Sequence, residues 1–157
     1  MSPRVGIGLR APHYASLWER RPPLALIEVH SENFFGRGGQ PLAWLARFRE
    51  AYPVSFHGVG LSLGSADPLD ERHLASLDAL VRRFDPIEVS EHLSWSSIDA
   101  RHANDLLPLP FTEEAIVHLV GRIGRVQDRL GRRILVENVS SYVARSEERR
   151  VGKECRL

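Results

Sequence analysis

The chain alternates short apolar runs with longer amphipathic stretches. "VGIGLR" (residues 5–10), "LALIEVHSENFF" (24–35), "PVSFHGVGLSL" (53–63), "PIEVSEHLSW" (86–95) and "RRILVENVSSY" (132–142) predict five strands. Between them, "PHYASLWERR" (12–21) has helical composition, and "QPLAWLARFREAY" (40–52) sets Leu42, Leu45 and Phe48 at helical spacing. "ERHLASLDALVRRF" (71–84) does the same with Leu74, Leu77, Leu80 and Val81, behind the turn and capping string "GSADPLD". The polar, proline-containing stretch 96–111 reads as a loop. It leads to Thr112, an N-cap followed by Glu113 and Glu114 at the positive end of a helix over 113–130 that closes at Gly131.

Strand followed by helix, repeated, argues for βα units and a parallel α/β sheet. An open nucleotide-binding sheet is disfavoured because "GIGLRAP" lacks a third glycine and a helix start after the first strand. Polar groups gather instead at the C-terminal ends of strands two to five, where (β/α)8 TIM barrels build their sites. The expectation is a partial TIM barrel, with about five of the eight βα units present. Residues 1–144 would form its N-terminal part.

A chain of 157 residues, 43% hydrophobic and 26% charged, has the composition of a globular domain with a core of its own. A formal charge of +1 gives no broad attraction to nucleic acid or an anionic membrane, and no partner of either kind is expected. The N-terminus "MSPRVGIGLRAPHY" has no apolar signal-peptide core, which predicts a cytoplasmic protein. The chain ends "RSEERRVGKECRL", a basic string without apolar periodicity that resembles the translated read-through of a sequencing adapter. Residues 145–157 are therefore expected to be foreign and the gene product C-terminally truncated. Cys155, the single cysteine, falls in that string, so thiol and disulfide chemistry drop out of the expected domain.

Alternation along each strand sorts the side chains into two faces. Glu28, His30 and Glu32 share one face of the second strand, Ser55 and His57 of the third, Glu88, Ser90 and His92 of the fourth, and Leu135 and Glu137 of the fifth. The alternate set, Ile27, Val29, Val54, Phe56, Ile87, Val89, Ile134 and Val136, would pack on the outer helices. Burying carboxylates and imidazoles together is costly unless something neutralises them. A metal does so, and imidazole with carboxylate is a ligand set for non-haem iron, manganese or zinc. Hydrogen bonds and ion pairs with arginines inside the barrel are the alternative.

Other positions are less directive. His13 could line the site or sit in a loop, while His73 and His118 are expected to face solvent from helices. His102, Asn104 and Asp105 fit a substrate-contacting loop or a simple turn. Gly58, Gly60 and Gly64 permit tight backbone. Trp44 and Trp95 read as packing residues. No nucleophile elbow, P-loop or HExxH motif is present.

"EVHSENFFG", "SFHGVGLSLGS", "VSEHLSWS", "NDLLPLPFTEEA" and "LVENVSSY" occur in an order that resembles the UPF0276 family (domain of unknown function 692), over residues 4–142. That family includes MbnB and TglH. The resemblance implies a xylose-isomerase-like barrel holding two or three iron ions. It also implies O2-dependent oxidation of cysteine in a ribosomally made precursor peptide, which a partner protein presents. By position it implies His57, His92 and Glu137 as iron ligands, Glu137 bridging two irons. Glu28, His30, Glu32, Asn104, Asp105 and Asn138 would line the site. Further ligands would come from later strands, so the fragment itself is expected to be inactive. The competing expectations are a divalent-metal sugar isomerase, a phosphodiester hydrolase, or a fragment that only binds metal.

Overall fold

A computed structural model describes residues 5–99 and 101–139 of the chain. The expected foreign tail, residues 145–157 with Cys155, and the boundary at residue 144 lie outside the described residues. In chain order the first elements are β1 (Gly6–Gly8), α1 (Tyr14–Arg20), β2 (Leu26–His30), α2 (Gln40–Ala51), β3 (Val54–Gly58) and α3 (Glu71–Phe84). They are followed by β4 (Glu88–Leu93), β5 (Trp95–Ile98), β6 (Arg101–Leu107), α4 (Glu113–Leu130) and β7 (Leu135–Asn138).

Five strands form one parallel sheet in the order β1-β2-β3-β4-β7, and β5 pairs with β6 as a separate antiparallel hairpin. The α/β class and the parallel sheet agree with the strand–helix alternation of the sequence. Ile27, Val29, Val54, Phe56 and Val89 are buried in one cluster with Leu45 and Phe48 of α2, Leu74, Leu77 and Phe84 of α3, and Val126 and Leu130 of α4. Each such side chain contributes roughly 1.5–3 kcal/mol by leaving water, which explains why the alternation in the strands is so regular. The helices thus cover one face and leave the other to the polar set.

Helix ends follow local chemistry. Asp70 Oδ1 accepts from the backbone N–H of Arg72 and His73, and Thr112 Oγ1 accepts from Ala115 N–H. Gly131 at φ 63° closes α4 in the left-handed conformation. Buried Asp78 of α3 accepts from Arg82 Nε at 2.8 Å and Arg129 Nε of α4 at 3.1 Å, tying the two helices together.

Five expectations are corrected. The second strand stops at His30, and Ser31–Phe34 form a 3-10 turn, so Glu32 leaves the period-two alternation. The stretch read as a loop contains the hairpin β5–β6. Its polar sequence hides a strand period, but the 62–65 segment supplies partners: Ser62 Oγ accepts from Ser96 and Ser97 N–H, and Ser65 Oγ donates to Ser97 O. His118 is half-buried rather than solvent-facing, with Nε2 2.8 Å from Ser65 O. His73 is likewise covered, because the Glu32 turn folds back onto the first turn of α3. On the sheet, Ile87 and Val136 expose about half their surface and Glu88 is exposed, since no described helix covers those positions.

Candidate metal centre

Parallel register places His30, His57 and Ser90 side by side across β2, β3 and β4, and sets His92 opposite Glu137 across β4 and β7. Register partners share a face, so the polar side chains form two adjoining rows at the C-terminal ends of the strands. His57 is buried, His92 half-buried and Glu137 exposed, and one ligand atom from each lies within 4.8 Å of the others. His57 Nε2 is 3.0 Å from His92 Nε2 and 3.7 Å from Glu137 Oε2. Two atoms bound at about 2.1 Å to one cation stand roughly 3.0 Å apart at about 90° and roughly 3.6 Å apart at about 120°. The observed spacings match that geometry, so the residues fit a shared ion.

The outer partners favour the same arrangement. His57 Nδ1 lies 2.7 Å from Ser90 Oγ, whose hydroxyl points to Phe56 O at 3.5 Å. Satisfying both contacts puts the proton on Nδ1 and leaves the Nε2 lone pair facing His92 and Glu137. Burial, reinforced by the neighbouring His57, lowers the His92 pKa. A neutral imidazole is the form that binds a cation. His92 Nδ1 is buried without a protein partner. The ring of His30 sits edge-on to His57 with centroids 5.7 Å apart.

A cavity of about 650 Å³ opens beside the three residues. His92, Glu137 and Asn138 line it from the sheet, Val59 and Gly60 from the turn after β3, and His102, Asn104 and Asp105 from β6. Asn104, Asp105 and Asn138 are thus brought to the same space as the triad. Glu28 is half-buried on the inward side of β2 and is neither in the triad nor at the cavity wall. Glu32 turns aside, its Oε1 accepting from Val59 N–H at 2.8 Å and Gly60 N–H at 2.9 Å. His13 lines a separate pocket near the start of α1.

Glu91 went unnoticed in the sequence because it has the parity of the apolar face. It is 2% exposed, and burial, with the Glu32 charge nearby, pushes its pKa up to about 8. Its register partner is Gly58, where a Cβ would fall 2.3 Å from Glu91 Oε2. A glycine facing an apolar-parity glutamate was the available signal. Gly60 similarly leaves room for His73 Cε1, 2.7 Å from where a Cβ would stand.

Comparison with known proteins gives a family described as the RiPP precursor modification enzymes MbnB/TglH/ChrH, whose pattern matches residues 4–152. The chain is 55% identical over 139 residues to a UPF0276 protein of Anaeromyxobacter sp. (strain Fw109-5), covering 88% of this chain and 49% of that protein. It is 56% identical over 138 residues to one of Chromobacterium violaceum, covering 88% and 50% respectively. A Vibrio parahaemolyticus member is 49% identical over 141 residues, covering 90% and 49%. The chain spans about half the length of the curated relatives it matches.

Proposed function

Since the chain belongs to the MbnB/TglH/ChrH family, we propose that His57, His92 and Glu137 hold an iron ion, at a site that modifies cysteine in a ribosomally made precursor peptide. The convergence of their three ligand atoms within 4.8 Å is the observation that carries this reading. The parallel sheet is, on the same reading, the N-terminal part of a (β/α)8 barrel, and the half of the relatives that this chain does not align with supplies the remaining strands and ligands.

When bound, iron would supply a Lewis acid that lowers the pKa of a substrate thiol and a redox centre for O2 as co-substrate. The protein's own contribution is positional. Ser90 fixes the His57 tautomer, and burial keeps His92 neutral, so both imidazoles offer lone pairs. Asn104, Asp105 and Asn138 bring hydrogen-bonding groups to the cavity wall, where they would orient the peptide beside the triad. Ser62 and Ser65 tie the segment after β3 to β5, whose Ser96 lines the cavity. On the same reading, a second protein would present the peptide.

Anaerobic titration of this chain with Fe(II) tests the site directly. Saturable binding is expected, and His57→Ala should weaken it by at least about tenfold. A full-length relative should then consume O2 in the presence of its precursor peptide. Absence of Fe(II) binding, or unchanged binding in His57→Ala, would rule the site out.

A further inference from the structure

Glu32 and the turn after β3 form a device that the cation site does not itself use. Val59 and Gly60, two and three residues beyond His57, both donate their backbone N–H to the single oxygen Glu32 Oε1. Burial alone would raise the Glu32 carboxyl, but the adjacent His73 ring and the Val59 N–H outweigh it and hold the group below its ordinary range. His73 Nε2 stands 3.5 Å from the same oxygen and packs edge-on against Phe35, with centroids 4.9 Å apart. Gly60 admits this packing only because it has no Cβ. The carboxylate of the turn after β2 therefore pins the segment that leaves β3 just beyond His57, and Val59 and Gly60 form part of the same cavity wall as His92 and Glu137.

We propose that Glu32 is a positioning residue for the cation centre: it contributes no ligand atom, but through the Val59–Gly60 turn it fixes His57 relative to His92. The inference rests on the cation site proposed above. A carboxylate donating nothing to the ion but fastening a ligand-bearing segment is the kind of outer partner whose loss weakens metal affinity about 10–100-fold. Glutamine keeps an oxygen that can accept both N–H groups, whereas alanine keeps none.

The test is an anaerobic Co(II) titration of the 157-residue chain, followed by the visible d–d bands, with circular dichroism recorded on each variant. Glu32→Ala should bind Co(II) at least about tenfold more weakly, with altered bands at unchanged helical signal, and Glu32→Gln should recover most of the affinity. Wild-type affinity and bands in Glu32→Ala would overturn the inference alone; failure of the unsubstituted chain to bind Co(II) would overturn the cation site with it. Should Glu32→Ala not fold, Gly60→Ala tests the same clamp, because its Cβ crowds His73 and Glu32 while leaving both in place. Weakened binding is again expected, and an unchanged Co(II) spectrum in folded Gly60→Ala would overturn the proposal.

Discussion

Ser90 supplies a hydroxyl 2.7 Å from His57 Nδ1. Removing it leaves the buried ring nitrogen without its acceptor and frees the tautomer, so the proton can move to the nitrogen that should face the ion. Ser90→Ala is therefore expected to lower Co(II) or Fe(II) affinity by about 10–100-fold. A competition titration against a chelator of known affinity measures this, and wild-type affinity would remove Ser90 from the site. At this scale, parity along the strands was informative because a period of two is imposed by backbone geometry. It placed His57 and His92 on one face, and both are found there. Parity said nothing of Glu91, whose environment is set by the missing side chain of Gly58 on another strand. Nor could it place Glu32, since a 3-10 turn begins at Ser31 and changes the period.

Helix α3 depends on the Asp70 cap, which satisfies two N–H groups of its first turn. Asp70→Ala should cost about 1 kcal/mol, measurable as a lower urea midpoint at neutral pH. Those same hydrogen bonds, that from His73 N–H foremost, hold the Asp70 carboxyl below its ordinary 3.8. The unfolded chain then takes up the proton more readily than the folded one, so stability rises with pH across that window. The contribution is complete above 3.8 and disappears as pH falls through the lowered value. Asp70→Asn, which keeps an acceptor without a titrating proton, should lack this acid sensitivity in parallel denaturations. Helices α2, α3 and α4 were legible from apolar spacing and capping residues, which act within a few neighbours. The β5–β6 hairpin was not, because its partners are hydroxyls about thirty positions earlier in the chain, on Ser62 and Ser65. Asp99 at φ 51°, in the left-handed region that Asp tolerates, was the faint local mark of its turn.

Across the whole molecule, the apolar surface is unevenly covered. Among the described residues, Ile116, Val117 and Val120 sit within two turns of α4 and are 56–71% exposed, and Leu135 and Val136 of the edge strand β7 are 54% and 45% exposed. Clustered apolar surface of this kind tends to associate, and an edge strand offers unpaired backbone groups. The chain should self-associate with rising concentration, and Val117→Lys combined with Val120→Lys should shift it toward monomer in light scattering coupled to size exclusion. Equal mass for both proteins at all concentrations would contradict this. No described helix is long and apolar enough to cross a membrane.

Short-range physics wrote the five strands of the parallel sheet, the four α-helices and the inward parity of His57 and His92 directly into the residue order, since each depends on neighbours within one or two turns. The distances that make a candidate centre were decided only when strands far apart in the chain came into register: His92 faces Glu137 because β4 pairs with β7, and Glu32 reaches the Val59–Gly60 turn because β2 lies beside β3. Side-chain type announces what a group can bind, but coordination requires ångström-scale proximity, and that is a property of the folded sheet alone.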